Sequence, residues 1–174
     1  LELKGASSNK NINSVEVGNN RIKLLKTFDN AYRKAPFYEQ VKPLLDEVFY
    51  SNEVNLAKYI AQTISAVNKY LGIDTKMLMS SELDKNNLLK GQDKVIEICK
   101  ILNAQKYINS IGGQDLYSKK EFSDAGIELV FITPQNINYK QYSNNFIPFL
   151  SILDVLMFNS IHSIQEMLNM YDLL

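Results

Sequence analysis

Two short strings hold the side chains and backbone freedom that ligand chemistry requires. Ile111-Gly112-Gly113-Gln114-Asp115 follows an apolar run at Tyr107–Asn109. Backbone amides at Gly112 and Gly113, unobstructed by side chains, can face a phosphate or a carboxylate. Asn109 at the strand end and Asp115 just beyond it are suited to sugar or ribose hydroxyls, because ligands bind at the carboxyl ends of parallel strands. The same residues also fit a tight strand-to-helix turn of positive φ, with Asp115 capping the element after it. The string is not a full dinucleotide-binding or Walker pattern. Lys90-Gly91-Gln92-Asp93-Lys94 opens a helix after a polar loop, where a lysine and free amides attract an anion; Asp93 as an N-cap between two solvated lysines fits equally.

Ser151 and Asp154 form a third pattern. Ser-x-x-Asp at a helix start is a capping arrangement first, and Asp154 as a general acid/base is the sharper use of the same residue. His162 lies eight residues past Asp154, about 12 Å along a continuous helix at 1.5 Å per residue. It pairs with Ser151 only if the chain turns at Asn159-Ser160. In the Ser160–Ser163 turn it caps or packs more readily than it catalyses. Cys99 sits on an apolar helix face and is expected to be buried and inert.

Composition limits the remaining choices. The chain has 174 residues, one cysteine and one histidine. This leaves no internal disulfide, no cysteine-built zinc site and no metal cage needing two histidines. Lys+Arg and Asp+Glu are 19 each, which argues against a nucleic-acid partner held by phosphate neutralisation. No apolar run reaches the roughly 20 residues of a membrane span. Nothing in the composition names a cofactor. Seven Lys/Arg against three Asp/Glu fall in residues 1–34, and no Lys/Arg against three acids in 141–174. A basic end suits an anionic ligand or a merely solvated face.

These residues must be positioned by a mixed architecture. Residues 1–17 read as a polar loop with a short alternating stretch from Ile12. Helical spacing begins beyond it at Arg21-Leu25-Phe28-Tyr32, stopped by Pro36, and at Val41-Leu44-Leu45-Val48, with Pro43 kinking or restarting the helix. A third helix places Ala57, Ile60, Ile64, Val67 and Leu71 inward, capped by Ser51 or Asn52 and closed by Gly72 in a left-handed stop. Beyond Gly72 the pattern becomes βα. Strands are expected at Thr75–Ser80, Tyr107–Asn109 and Ile127–Ile132, with helices at Asp93–Leu102 and after Ser118, whose capping box is completed by Glu121. The aromatic-rich loop before Phe149 has the character of a lid or substrate loop, or of a wrap on the sheet edge. From Ser151 the chain returns to helix, with Ser163 and Glu166 as a second capping box. The expected fold is α/β: about three helices in the first half, a small parallel sheet of βα units, and C-terminal helices. No linker splits the chain, so a single domain over 1–174 is expected.

Three strings, Lys90-Gly91-Gln92-Asp93-Lys94, Tyr107-Ile108-Asn109-Ser110-Ile111-Gly112-Gly113-Gln114-Asp115-Leu116-Tyr117 and Pro148-Phe149-Leu150-Ser151-Ile152-Leu153-Asp154-Val155-Leu156-Met157-Phe158-Asn159, with Lys4-Gly5-Ala6-Ser7-Ser8-Asn9-Lys10 and Ala35-Pro36 in register, resemble the WbqC-like protein family. The resemblance runs from about residue 3 to the end. It implies a cytoplasmic bacterial protein associated with O-antigen or other surface-polysaccharide synthesis. It also implies a small-molecule partner, a nucleotide-linked sugar that is modified by acyl or aminoacyl transfer. A non-catalytic binding or scaffold subunit of such a pathway is the rival reading. Family members usually begin with a Gln-Pro-x-x-Phe-Pro-x-x-Gly-Tyr segment and a Trp/Arg-rich stretch. This sequence has neither, so an N-terminally shortened chain is expected.

Overall fold

A computed structural model describes all residues, 1–174. The chain arranges as two compact units, Leu1–Met77 with Asn138–Met167, and Leu78–Ile137 with Leu168–Leu174.

The first unit is mainly helical. A two-stranded antiparallel ribbon, β1 (Leu3–Lys4) with β2 (Glu16–Val17), precedes three helices, α1 (Arg21–Tyr32), α2 (Tyr38–Phe49) and α3 (Leu56–Leu71). Two more helices, α4 (Ile152–Phe158) and α5 (Ile161–Met167), complete the unit. Pro43 lies inside α2, two residues past Val41, whose N–H makes the first ladder bond to the Phe37 carbonyl, so the helix continues through the proline at the loss of one i→i−4 bond. Leu25, Val41, Leu44, Leu45, Leu71, Leu156, Met157 and Ile164 form the core. Arg21 anchors the start of α1, donating through Nη1 to the carbonyls of Ser51 and Glu53 at 2.6 and 2.8 Å. Its guanidinium also stands 5.2 Å from the centre of the Tyr59 ring.

The α3 helix corrects two expectations. Its N-cap is Asn55, whose side chain accepts from the Lys58 N–H at 3.2 Å, rather than Ser51 or Asn52. Its buried face carries Leu56, Tyr59, Ala66 and Leu71, while Ile60 and Ile64 are 41% and 45% exposed. The apolar stripe on α3 is wider than the buried one. Tyr59, stacked under Arg21 and packed with Val15, Val17 and Leu56 in a second small core, decides which side turns inward. Gly72 closes the helix at φ +71°, with the Ile73 N–H returning to the Asn68 carbonyl at 2.8 Å, as expected.

The second unit is α/β. Helix α6 (Gly91–Ile101) leads into strand β3 (Lys106–Ser110). A 3-10 segment, Ile111–Leu116, and helix α7 (Lys119–Asp124) then lead into strand β4 (Glu128–Pro134). β3 and β4 are parallel, with Tyr107 opposite Leu129 and Asn109 opposite Phe131. The sheet is not wholly parallel. Strand β5 (Tyr171–Leu173) adds antiparallel to β4, at residues where the sequence pattern continues a helix. Helix α5 ends at Met167, and Tyr171–Leu173 gain ladder bonds on an otherwise bare edge of β4. The expected strand at Thr75–Ser80 is absent. That run is irregular and leads into a 3-10 turn at Ser80–Glu82, because no strand lies alongside to accept its peptide groups. Cys99, Phe122, Ile127, Leu129 and Phe131 form the core of this unit. The Tyr107 and Phe122 rings stack at 5.5 Å, and Tyr117 closes edge-on upon Phe122 at 5.9 Å.

Phe122 is fully buried. Phe122→Ala should therefore cost about 3–5 kcal/mol in urea unfolding, whereas Ile60→Ala should stay within about 0.5 kcal/mol of the parent. An Ile60→Ala loss as large as that at Phe122 would contradict the assigned face of α3.

Candidate functional site

The sequence-predicted site residues divide between the two units. Lys90, Asn109, Gly112, Gly113 and Asp115 lie in the second, Asp154 in the first.

In the second unit, both helices run back against the parallel strands, so the starts of α6 and α7 lie toward the carboxyl end of β3. A specific contact ties them together. Gln92, in the first turn of α6, accepts from the Ser118 N–H at 3.0 Å, and its amide donates to Glu121. Ser118 is the N-cap of α7 and accepts from the Glu121 N–H at 3.4 Å. Lys90 is the exposed N-cap residue of α6, with no side-chain cap bond, and Gly91 comes next at φ +52°. Asp93 is in the first turn, not at the cap.

Asn109 is half-buried at the end of β3, where its Oδ1 accepts from the Ser110 N–H at 2.9 Å. Gly113 is buried beneath it. A Cβ added at Gly113 would fall 2.5 Å from the Asn109 Nδ2 and 3.6 Å from the Tyr117 ring, so a side chain there would push the Asn109 amide aside. Gly112 is exposed with nothing within 4 Å of an added Cβ. Neither glycine has a positive φ, which corrects the positive-φ turn; they belong to the 3-10 segment. Asp115 is exposed within that segment.

Asp154 in the first unit is only 5% exposed. Its carboxylate accepts from the Tyr139 hydroxyl at 2.7 Å, the Gln141 amide at 2.9 Å and the Tyr32 hydroxyl at 3.1 Å. Burial, and then the neighbouring Asp154 carboxylate, push both tyrosines up to about 12. They are donors throughout the physiological range. Gln141 also closes the loop on itself, donating to the Ile147 carbonyl at 3.1 Å and accepting from the Ile147 N–H at 2.9 Å. Phe149, just beyond, is 96% exposed at φ +58°. Ser151 caps α4 through the Leu153 N–H at 3.3 Å. His162 lies within α5 rather than in the turn, exposed, with Nε2 3.4 Å from Glu166. The residue that caps α5 is Ser160, which accepts from the Ser163 N–H at 3.1 Å; Ser163 and Glu166 are not a capping box.

Sequence reasoning placed Asp154 but missed Tyr32, Tyr139 and Gln141 as its partners. Tyr32 fits core periodicity, and the other two sit in a loop without a period. Cys99 is buried, and desolvation pushes its thiol up, away from the reactive thiolate.

The family model of the WbqC-like proteins matches residues 1–166, nearly the whole chain. The chain belongs to the WbqC-like protein family. No curated protein and no solved structure matches it. No helix of this WbqC-like chain is long and apolar enough to cross a membrane.

The Asp154 cluster makes a checkable demand on stability. Asp154→Ala orphans three donors and should cost about 1–3 kcal/mol in urea unfolding. Tyr32 and Tyr139 titrate higher folded than unfolded, so their contribution is whole below about pH 10 and declines as pH rises toward 12. A Tyr32→Phe/Tyr139→Phe variant should show a shallower alkaline decline than the parent, keeping the parts due to Tyr107, also pushed up to about 12, and to Tyr38, Lys42, Tyr59, Tyr70 and Cys99, which folding raises as well. An unchanged decline would contradict the hydroxyl–carboxylate pairing.

Proposed function

We propose that the chain acts on a nucleotide-activated sugar in bacterial surface-polysaccharide synthesis of the O-antigen type, as a cytoplasmic transferase moving an acyl or aminoacyl group. Membership of the WbqC-like family supports the setting. The observation that carries the ligand assignment is the Gln92–Ser118 bond, which brings the start of α6 to the chain segment leaving the carboxyl end of β3. In this reading Lys90 and the amides at Gly112 and Gly113 receive the phosphates, while Asn109 and Asp115 bind hydroxyls. Asp154, in the first unit, is proposed separately as an acid/base from its own surroundings. Its Oδ1 accepts from Tyr139 and Gln141 and its Oδ2 from Tyr32 alone, which leaves one Oδ2 lone pair for a further donor.

That occupancy favours a second reading, a non-catalytic binding subunit of the same pathway. A buried carboxylate held by three donors braces a loop whether or not any proton moves.

A thermal-shift panel of uridine, thymidine and guanosine diphosphate sugars, ATP and coenzyme A tests the ligand assignment. One nucleotide-sugar class should raise the midpoint by several degrees at saturating concentration. Asp115→Ala and Gly113→Ala should remove most of that rise, the latter by displacing Asn109, and Lys90→Ala should weaken binding several-fold. No selective shift, or one indifferent to these changes, would overturn it. Loss of turnover in Asp154→Asn with retained binding separates the transferase from the binding subunit.

A further inference from the structure

A cleft between α2 and α3 in the first unit holds polar groups that the fold does not use. Its volume is about 410 Å³, and Val48 and Ala66 give it an apolar wall. Small-molecule sites span roughly 300–1,000 Å³. Tyr59 lines the cleft and is only 6% exposed. Its ring belongs to the small core with Val15, Val17 and Leu56, but its hydroxyl makes no hydrogen bond. No side-chain oxygen or nitrogen of the chain is both buried and unpartnered, so this hydroxyl reaches open space, and the cleft supplies it. A hydroxyl so enclosed and left without a partner calls for one from outside the chain. Burial pushes Tyr59 up in spite of the nearby Arg21 charge, so it stays a donor.

The other groups of the cleft suit a polar guest. Ser51 donates to the Gln62 Oε1 at 3.0 Å, which holds the amide with its N–H groups unspent. Thr63 donates to the Tyr59 carbonyl at 2.9 Å, so its hydroxyl oxygen is left to accept. Glu47 on α2 and Lys69 on α3 bring opposite charges to the two sides, and neither is in an ion pair. A lone anion would meet Glu47, and a lone cation would meet Lys69. A neutral polyol would use the hydroxyl and amide groups but leave both charges unanswered. A zwitterion answers all of them.

We propose that this cleft binds a free α-amino acid, its ammonium toward Glu47, its carboxylate toward Lys69, and a hydroxyl or amide side chain against Tyr59, Gln62 and Thr63. The site shares no residue with the proposed nucleotide-sugar end of the second unit, and failure of either leaves the other standing.

Isothermal titration calorimetry with L-serine, L-threonine, L-asparagine and L-glutamine tests it. At least one should bind saturably. Its carboxamide and its N-acetyl derivative should each bind at least about ten-fold more weakly, because each lacks one of the two charges. Lys69→Gln should remove the preference over the carboxamide, and Glu47→Gln the preference over the N-acetyl derivative. Tyr59→Phe should weaken binding at least about three-fold while leaving the urea midpoint unchanged or higher, since the hydroxyl has no partner in the free chain. Saturable binding by none of the four would overturn the proposal. So would tighter binding of glucose than of any of them, or binding indifferent to these substitutions. A lower urea midpoint in Tyr59→Phe would also overturn it, by assigning the hydroxyl to the fold.

Discussion

A carboxylate taken out of water is tolerable only when its lone pairs are met, and in the first unit that condition falls on Asp154. Its three donors come from distant parts of the sequence. Tyr32 closes α1, and Tyr139 and Gln141 belong to the loop before α4. One buried charge therefore fixes the loop to the helices more specifically than apolar packing would. Gln141 extends the constraint to Ile147 by committing its remaining amide groups to that residue's backbone. The exposed Phe149 is thus presented from a braced base, and the braced loop leads directly into the Ser151 cap of α4.

The second unit depends on strand direction instead. A parallel pair such as β3–β4 needs a crossover, and the 3-10 segment with α7 supplies it. That geometry turns the helix starts toward one end of the sheet and leaves polar loops there. Gly113 is part of the same arrangement, since its missing side chain lets the 3-10 segment pass under Asn109. At the far edge of β4, β5 adds antiparallel.

Most of the local signals were readable from the residues. The α/β class, the left-handed stop at Gly72, the Ser118 cap, the buried Cys99 and the apolar β4 run each rest on short-range patterns, and each is present. The failures share a cause in long-range pairing. Thr75–Ser80 has strand composition but no neighbour, and Tyr171–Leu173 becomes a strand because β4 offers an edge. Ile60 and Tyr59 occupy adjacent stripes of α3, and only the Arg21 contact and the small second core choose between them. The donors of Asp154 were hidden for the same reason: Tyr32 is 122 residues away in sequence.

The proposed ligand end of the second unit is the carboxyl end of β3. Amide chemical-shift mapping by NMR, during titration with the nucleotide sugar that gives the largest thermal shift, tests it most directly. The largest changes are expected at Lys90–Gln92 and across Asn109–Ser118, with β5 and the α7–β4 junction unmoved. Changes centred on β5, or confined to the first unit, would contradict it.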